Sequence, residues 1–203
     1  MDMYTKRAYY KNQIYTFGKY IGLSYRSMGT SIKFKGGFYG DGLLSRFPIE
    51  FSANFLSPLI HQDSEQRGIL YNKISFGTTK LNLFSIHLST FEDERIEACK
   101  ELLRITDKIS RNEGIIIGGD FNVGITKIGK HKYRFDKKDT YEEYELLKER
   151  FHPVENSDDT WSAENGSGCI DTFFYSKNLK LNKFETIKTD TSDHSPVYAE
   201  FII

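Results

Sequence analysis

The chain of 203 residues reads as an α/β protein, a two-sheet sandwich flanked by helices and folded as a single domain over residues 1–203. Three features predict this. Ile115, Ile116 and Ile117 form a β-branched run too short for a helix, the pattern of a strand covered on both faces. From Glu92 to Ser110, Ile96, Cys99, Leu102, Leu103, Thr106 and Ile109 fall on one side and charges on the other, an amphipathic helix of several turns. That helix links a strand starting at Leu81 to the isoleucine strand, a β-α-β unit whose two strands run parallel. Elsewhere strands outnumber helices, which favours two packed sheets.

The remaining elements follow in order. Ile14, Phe17, Gly18 and Ile21 recur at helical spacing and predict a short helix ending near Gly22. Ser31–Phe34, Gly42–Leu44, Ile49–Leu56, Ile69–Phe76 and Leu81–Leu88 are rich in β-branched or aromatic residues and broken by Gly, Pro or Asn, so each predicts a strand. A second helix is predicted over Thr140–Phe151, and three strands start near Ile170, Leu179 and Val197.

The chain is large enough to bury a core and carries no linker or repeat signal. Its 28 Lys and Arg residues balance 28 Asp and Glu, so no whole-protein field attracts a polyanion or a membrane, and any preference for phosphate must be local. Cys99 and Cys169 form neither a disulfide framework nor a ligand cluster, which points to a reducing, cytoplasmic setting. The amino end shows no apolar signal region, and no hydrophobic span long enough for a membrane occurs.

Chemistry-bearing residues gather at strand ends: His87 in "SIHLS", Asp120 and Asn122 in "GGDFN", Asp171 in "CIDTFFYS", and Asp193 with His194 in "TSDHSPV". Open α/β sheets hold ligands at such ends. Asp-x-Asn also opens calcium loops, but that reading wants an oxygen side chain at Gly124, a glycine at Ile125 and a Glu at His131, and fails at all three. A plain turn stays open for the isolated motif. His61, His131 and His152 have no partner pattern and read as structural.

Taken together and in order, these blocks resemble the endonuclease/exonuclease/phosphatase superfamily, the DNase I-like metal-dependent phosphoesterases. "YGDGLLSRFPI" is similar to the family's Tyr-Gly-Asn-Ala-x-Leu-Ser-Arg-x-Pro-Ile stretch, "EQRGIL" to its Arg-Gly strand start and "IHLS" to its His-Leu pair. The resemblance implies catalytic roles for His87, Asp120, Asn122, Asp171 and His194, with Asp193 and Asp120 on the metal side. Asp120 would position or activate water. Asn122 would donate its amide to phosphate, and Asp171 would orient His194 as phosphate donor or base. His87 would oppose them as acid or donor. The implied cofactor is magnesium, with manganese as a substitute, because hard oxygen ligands and one or two carboxylates suit it.

Two departures from the family stand out. Its first strands and the Leu-Gln-Glu that carries its principal metal ligand are absent, and Met1 falls where relatives often have Val after that Glu. The reading frame is therefore expected to extend upstream, and the chain as given to bind magnesium weakly. Asp41 stands where relatives commonly carry Asn, and reads as a substitution in a turn near the cleft. Thr126–Lys138 interleaves Lys and Arg with Tyr133 and Phe135, either a phosphate-gripping loop or a solvated one. The expected activity is metal-dependent hydrolysis of phosphodiesters, nucleic acid among them, by in-line attack of an activated water. The alternatives are a silent phosphate-binding domain and an inositol-phosphate or sphingomyelin-type phosphoesterase. The expected partner is the phosphate-ester substrate, met by a monomer.

Overall fold

The computed structural model describes residues 1–129, 132–164 and 166–203. In chain order the elements are β1 (Asp2–Met3), α1 (Gln13–Ile21), β2 (Tyr25–Phe34), β3 (Gly37–Ser45), β4 (Ile49–Leu56), β5 (Gly68–Phe76), β6 (Thr79–His87), α2 (Glu92–Thr106) and β7 (Gly114–Asp120). There follow β8 (Ile125–Gly129), β9 (Lys132–Phe135), α3 (Glu142–Lys148), β10 (Phe151–Pro153), β11 (Trp161–Ala163), β12 (Gly166–Gly168), β13 (Asp171–Ser176), β14 (Lys180–Thr186) and β15 (Val197–Ile202).

A six-stranded sheet in the order β10-β13-β7-β6-β5-β4 carries the architecture, and a three-stranded sheet β1-β3-β2 packs against it through β2 and β3. The pairs β8-β9, β11-β12 and β14-β15 complete the strands. The β6-α2-β7 unit is as expected: β6 and β7 are parallel, with Leu81 beside Gly114 and His87 beside Asp120. The isoleucine strand is covered on both faces. Ile115 and Ile117 join Phe84, Ile86, Leu102 and Phe174 in the cluster shared with α2 and α3. Ile116 instead meets Ile74, Leu81 and Leu43 in a second cluster on the other face. Each such side chain taken fully from water contributes about 1.5–3 kcal/mol.

Local chemistry sets the helix ends. The Asn12 side chain accepts from the Tyr15 amide at 3.2 Å, and Gly22, in the left-handed region at φ 71°, stops α1 where the sequence predicted. Helix α2 stops at Thr106, short of Ser110, because the Thr106 hydroxyl turns back to the Leu103 carbonyl at 3.0 Å and Arg150 takes the Thr106 carbonyl. Helix α3 is shorter than Thr140–Phe151, since Phe151 is drawn into the core as the first residue of β10. A buried ion pair, Arg95 to Glu143 at 2.5 Å, ties α2 to α3.

Candidate functional site

The core strands place three side chains in one row. His87 ends β6, Asp120 ends β7 beside it in parallel register, and Asp171 opens β13 opposite Asp120 in antiparallel register. Neighbouring strands lie about 4.8 Å apart, so the row is close enough for its groups to titrate together. Gly119 permits this junction: its φ is 148°, and a Cβ there would meet the Ile86 carbonyl oxygen at 2.0 Å.

His194 reaches the row from the segment before β15. The Ser195 amide donates to the Thr160 carbonyl at 2.7 Å, the Ser162 amide to the Asp193 carbonyl at 2.9 Å, and Trp161 bridges to His194. The Thr160 hydroxyl accepts from the Ile170 and Asp171 amides at 3.0 and 2.8 Å. Thr160 thus fixes Asp171 through its side chain and the His194 segment through its carbonyl. The outcome is a 2.8 Å contact between His194 Nδ1 and Asp171 Oδ2.

The protonation pattern follows from that geometry. The Asp171 carboxylate hydrogen-bonds the His194 ring and raises its pKa to about 8, burial acting against it. Burial, then the charge of Asp171, pushes Asp120 up to about 7. His87 is held well below its ordinary value, first by burial and then by the Arg67 and His194 charges. His87 Nδ1 faces Arg67 Nη1 at 3.2 Å; arginine can only donate, so Nδ1 accepts and the ring hydrogen sits on Nε2, 3.3 Å from Asp120 Oδ2. The Tyr39 hydroxyl lies 3.5 Å from the same Nδ1.

A cleft of about 190 Å³ opens here, with Arg67, His87, Asp120, Asn122, Asp193 and His194 in its lining. Every site residue expected from the sequence is found at or beside it. Asn122, left-handed at φ 49°, donates its backbone N–H to Asp120 Oδ1 at 2.9 Å and one amide hydrogen to the Leu88 carbonyl at 2.9 Å. Asp193 is exposed on the rim. Larger hollows lie elsewhere. One of about 390 Å³, near Arg111, Glu113 and Glu149, has no histidine in its lining and no row of carboxylates at strand ends, so chemistry rather than size marks the site.

Ligand atoms of Asp120, Asp171 and His194 lie within 4.8 Å of one another. Two carboxylates and an imidazole suit a divalent cation, and one seated between the carboxylates would relieve the repulsion that helps raise Asp120. Among the described residues this is the one such group of three.

Arg67 escaped notice as a site residue. Its signal lay in the "EQRGIL" block, but an arginine before a strand does not reveal where its guanidinium points. It enters the cleft, and its buried Nε has no partner. Tyr39 stood in the "YGDGLLSRFPI" block with no role attached to it, and Thr160 carried no signal. Within the stretch 126–138, β8 and β9 pair as antiparallel strands, and Tyr133 lines the cleft; Lys130 and His131 lie outside the described residues. Asp41 is in strand β3 beside Gly29, not in a turn. His61 binds Asp93 at 2.9 Å, and His152 stands against the Tyr175 ring.

Comparisons with known proteins bear on the fold and the family. No curated protein matches the sequence. A Bacteroides vulgatus protein described as endonuclease/exonuclease/phosphatase superposes with a TM-score of 0.73 at 16% identity, covering 94% of this chain and 80% of its own. D. rerio TDP2 complexed with a single-strand DNA product gives 0.70 at 18% identity, with 94% and 81% covered. A mannosyl-6-phosphatase of Bacteroides thetaiotaomicron gives 0.66 at 16%, with 94% and 81% covered. These likenesses establish a shared fold. The sequence model of the Endonuclease/Exonuclease/phosphatase family matches residues 4–194, and the chain belongs to that family.

Proposed function

We propose that this chain hydrolyses phosphodiester bonds, with nucleic acid as the substrate class, by attack of a water at the Asp120 cleft. The observation that carries the reading is the row His87, Asp120 and Asp171 closed by His194, with Arg67 lining the same cleft. Arg67 is paired with Glu65 through Nη1 at 2.5 Å, and its guanidinium, at the cleft, offers a phosphate the bidentate hydrogen bonding that arginine favours.

The residues divide the work by charge. His194, with a pKa near 8, is an imidazolium at neutral pH; Nδ1 donates to Asp171, which fixes the ring's orientation, and Nε2 is left to offer a charged hydrogen bond to a phosphate oxygen. Arg67 neutralises a second oxygen. Asp120, at about 7, exists in both forms at neutral pH and takes a proton from the attacking water. Neutral His87 directs its Nε2 hydrogen to Asp120 and so orients that carboxylate. Asn122 offers its second amide hydrogen to the ester. A magnesium ion, with manganese as substitute, would be held by Asp120, Asp171 or Asp193, and supplies charge relief on the nonbridging oxygens when bound. TDP2 bound to a DNA product, sharing this fold, supports the choice of nucleic acid.

The test is hydrolysis of a chromogenic phosphodiester with and without magnesium. Turnover should require the metal, and Asp120→Asn should lower it by about 100-fold or more, the usual worth of a positioned acid–base group. Metal-independent turnover, or an Asp120→Asn rate equal to wild type, would overturn the reading.

A further inference from the structure

The neutral net charge conceals a strong local bias. The first forty residues hold seven lysines and arginines against one acid, Asp2, and ten aromatic residues. Part of that composition is concentrated in a loop between β1 and α1. Tyr9 is 84% exposed and Tyr10 62%, with Lys6 and Lys11 exposed around them.

The exposure is not a loose loop's. Thr5 is fully buried; its side chain accepts from the Ala8 amide at 3.3 Å and its carbonyl from the Tyr10 amide at 2.9 Å. The Lys6 amide reaches the Lys35 carbonyl at 2.9 Å, binding the loop to the β2-β3 turn. Tyr9 and Tyr10 nevertheless hold φ values of 52° and 57°, a region bulky side chains rarely adopt. A fastened, strained backbone that turns two rings into water fits a surface built to meet something.

Its position ties it to the cleft. The Arg7 guanidinium lies 5.2 Å from the Tyr39 ring centre, and the Tyr39 hydroxyl faces His87. The loop is thus fastened to the same β2-β3 hairpin whose Tyr39 reaches the cleft histidine. Alternating cations and exposed ring faces suit a ligand with phosphates and unstacked bases. Membrane insertion calls for an apolar wedge; residues 4–11 contain no Leu, Ile, Val, Phe or Trp, and their one aliphatic residue, Ala8, is buried.

We propose that Tyr9 and Tyr10, with Lys6, Lys11 and Lys35, form a platform that binds single-stranded nucleic acid outside the catalytic cleft. This rests on the reading of nucleic acid as substrate and names the surface that selects it. The experiment is fluorescence anisotropy on the full chain in EDTA, which stops turnover, with a labelled oligothymidylate of about twelve nucleotides as probe. The double variant Tyr9→Asn/Tyr10→Asn keeps residues that tolerate the left-handed backbone and should weaken binding about tenfold or more. Lys6→Gln/Lys11→Gln should flatten the salt dependence, lowering the slope of log Kd against log salt by about one. Equal binding by the tyrosine variant, tighter binding of duplex, or preference for phosphatidylserine vesicles overturns the platform. Chromogenic-ester turnover by wild type without oligonucleotide binding also overturns it while leaving the hydrolytic chemistry standing.

Discussion

Thr160 receives two amides on its hydroxyl and one on its carbonyl, and these bonds set the distance between Asp171 and His194. Thr160→Val keeps the shape and removes the acceptor, leaving the Ile170 and Asp171 amides unpaired in a buried place, at about 1–3 kcal/mol each. The variant should melt earlier, and its kcat should fall about tenfold or more because the oriented imidazole drifts; a rate equal to wild type would remove Thr160 from site positioning. Asp41 offers a pH test. Burial pushes its carboxyl up to about 7, against the attraction of the Met1 amino group and Arg67. A carboxyl raised on folding favours the folded state most below its unfolded pKa of about 4, and that advantage is lost as pH rises towards 7. Asp41→Asn should therefore match wild type near pH 4 and gain about 1–3 kcal/mol at pH 8, read from urea midpoints. Both residues show what a sequence hides. The candidate site acids announced themselves because carboxylates and amides at the ends of apolar strands are conspicuous, whereas Thr160, within "SDDTWS", looks like any polar loop residue until its partners ten and thirty-five positions later are known. Arg67 was hidden for the same reason: only the folded chain brings it to His87.

The elements that were legible are those whose pattern is set by their own burial. Strands β4 to β7 have β-branched and aromatic runs because they lie in the six-stranded sheet, and α2 shows its stripe because one face covers that sheet. The strand pairs β8-β9 and β11-β12 were not visible: Lys, Arg, Ser and Gly dominate them, and their pairing is fixed by partners rather than by an apolar face. Strand β7 carries the sharpest prediction at this scale. Gly119 approaches the β6 backbone so closely that any side chain forces the two strands apart, and its φ of 148° excludes a relaxed alanine. Gly119→Ala should separate His87 from Asp120, lower stability by about 2–4 kcal/mol and abolish hydrolysis. Gly77, in the left-handed region with open space around it, provides the contrast: Gly77→Asn should leave the rate untouched. If both variants behave alike, close strand approach is not what builds the site.

At the scale of the whole molecule, the cleft depends on both sheets. Leu43 of the small sheet packs on the cluster of Ile74, Leu81 and Leu179, and Tyr39 of the same sheet touches His87. The sheets should therefore unfold together, since separating them exposes apolar surface and takes Tyr39 from His87. A divalent cation makes this measurable. The Asp120 and Asp171 carboxylates face each other across β7 and β13; the His194 and Arg67 charges offset part of their repulsion, and a cation bound to the folded chain would offset more of it. Binding to the folded state alone adds about 2.7 kcal/mol when the ion is at a hundred times its Kd, which for a domain of this length raises the melting temperature by about 5–10 °C. Trp161, the single tryptophan, bridges to His194 and reports the cleft by fluorescence, while far-ultraviolet circular dichroism reports all strands. With magnesium the two signals should shift upward by the same amount, and Asp120→Asn should remove the shift. Movement of the tryptophan transition alone would mean that the site belongs to one sheet and that the sandwich is not a single cooperative unit; a shift retained in Asp120→Asn would place the ion elsewhere.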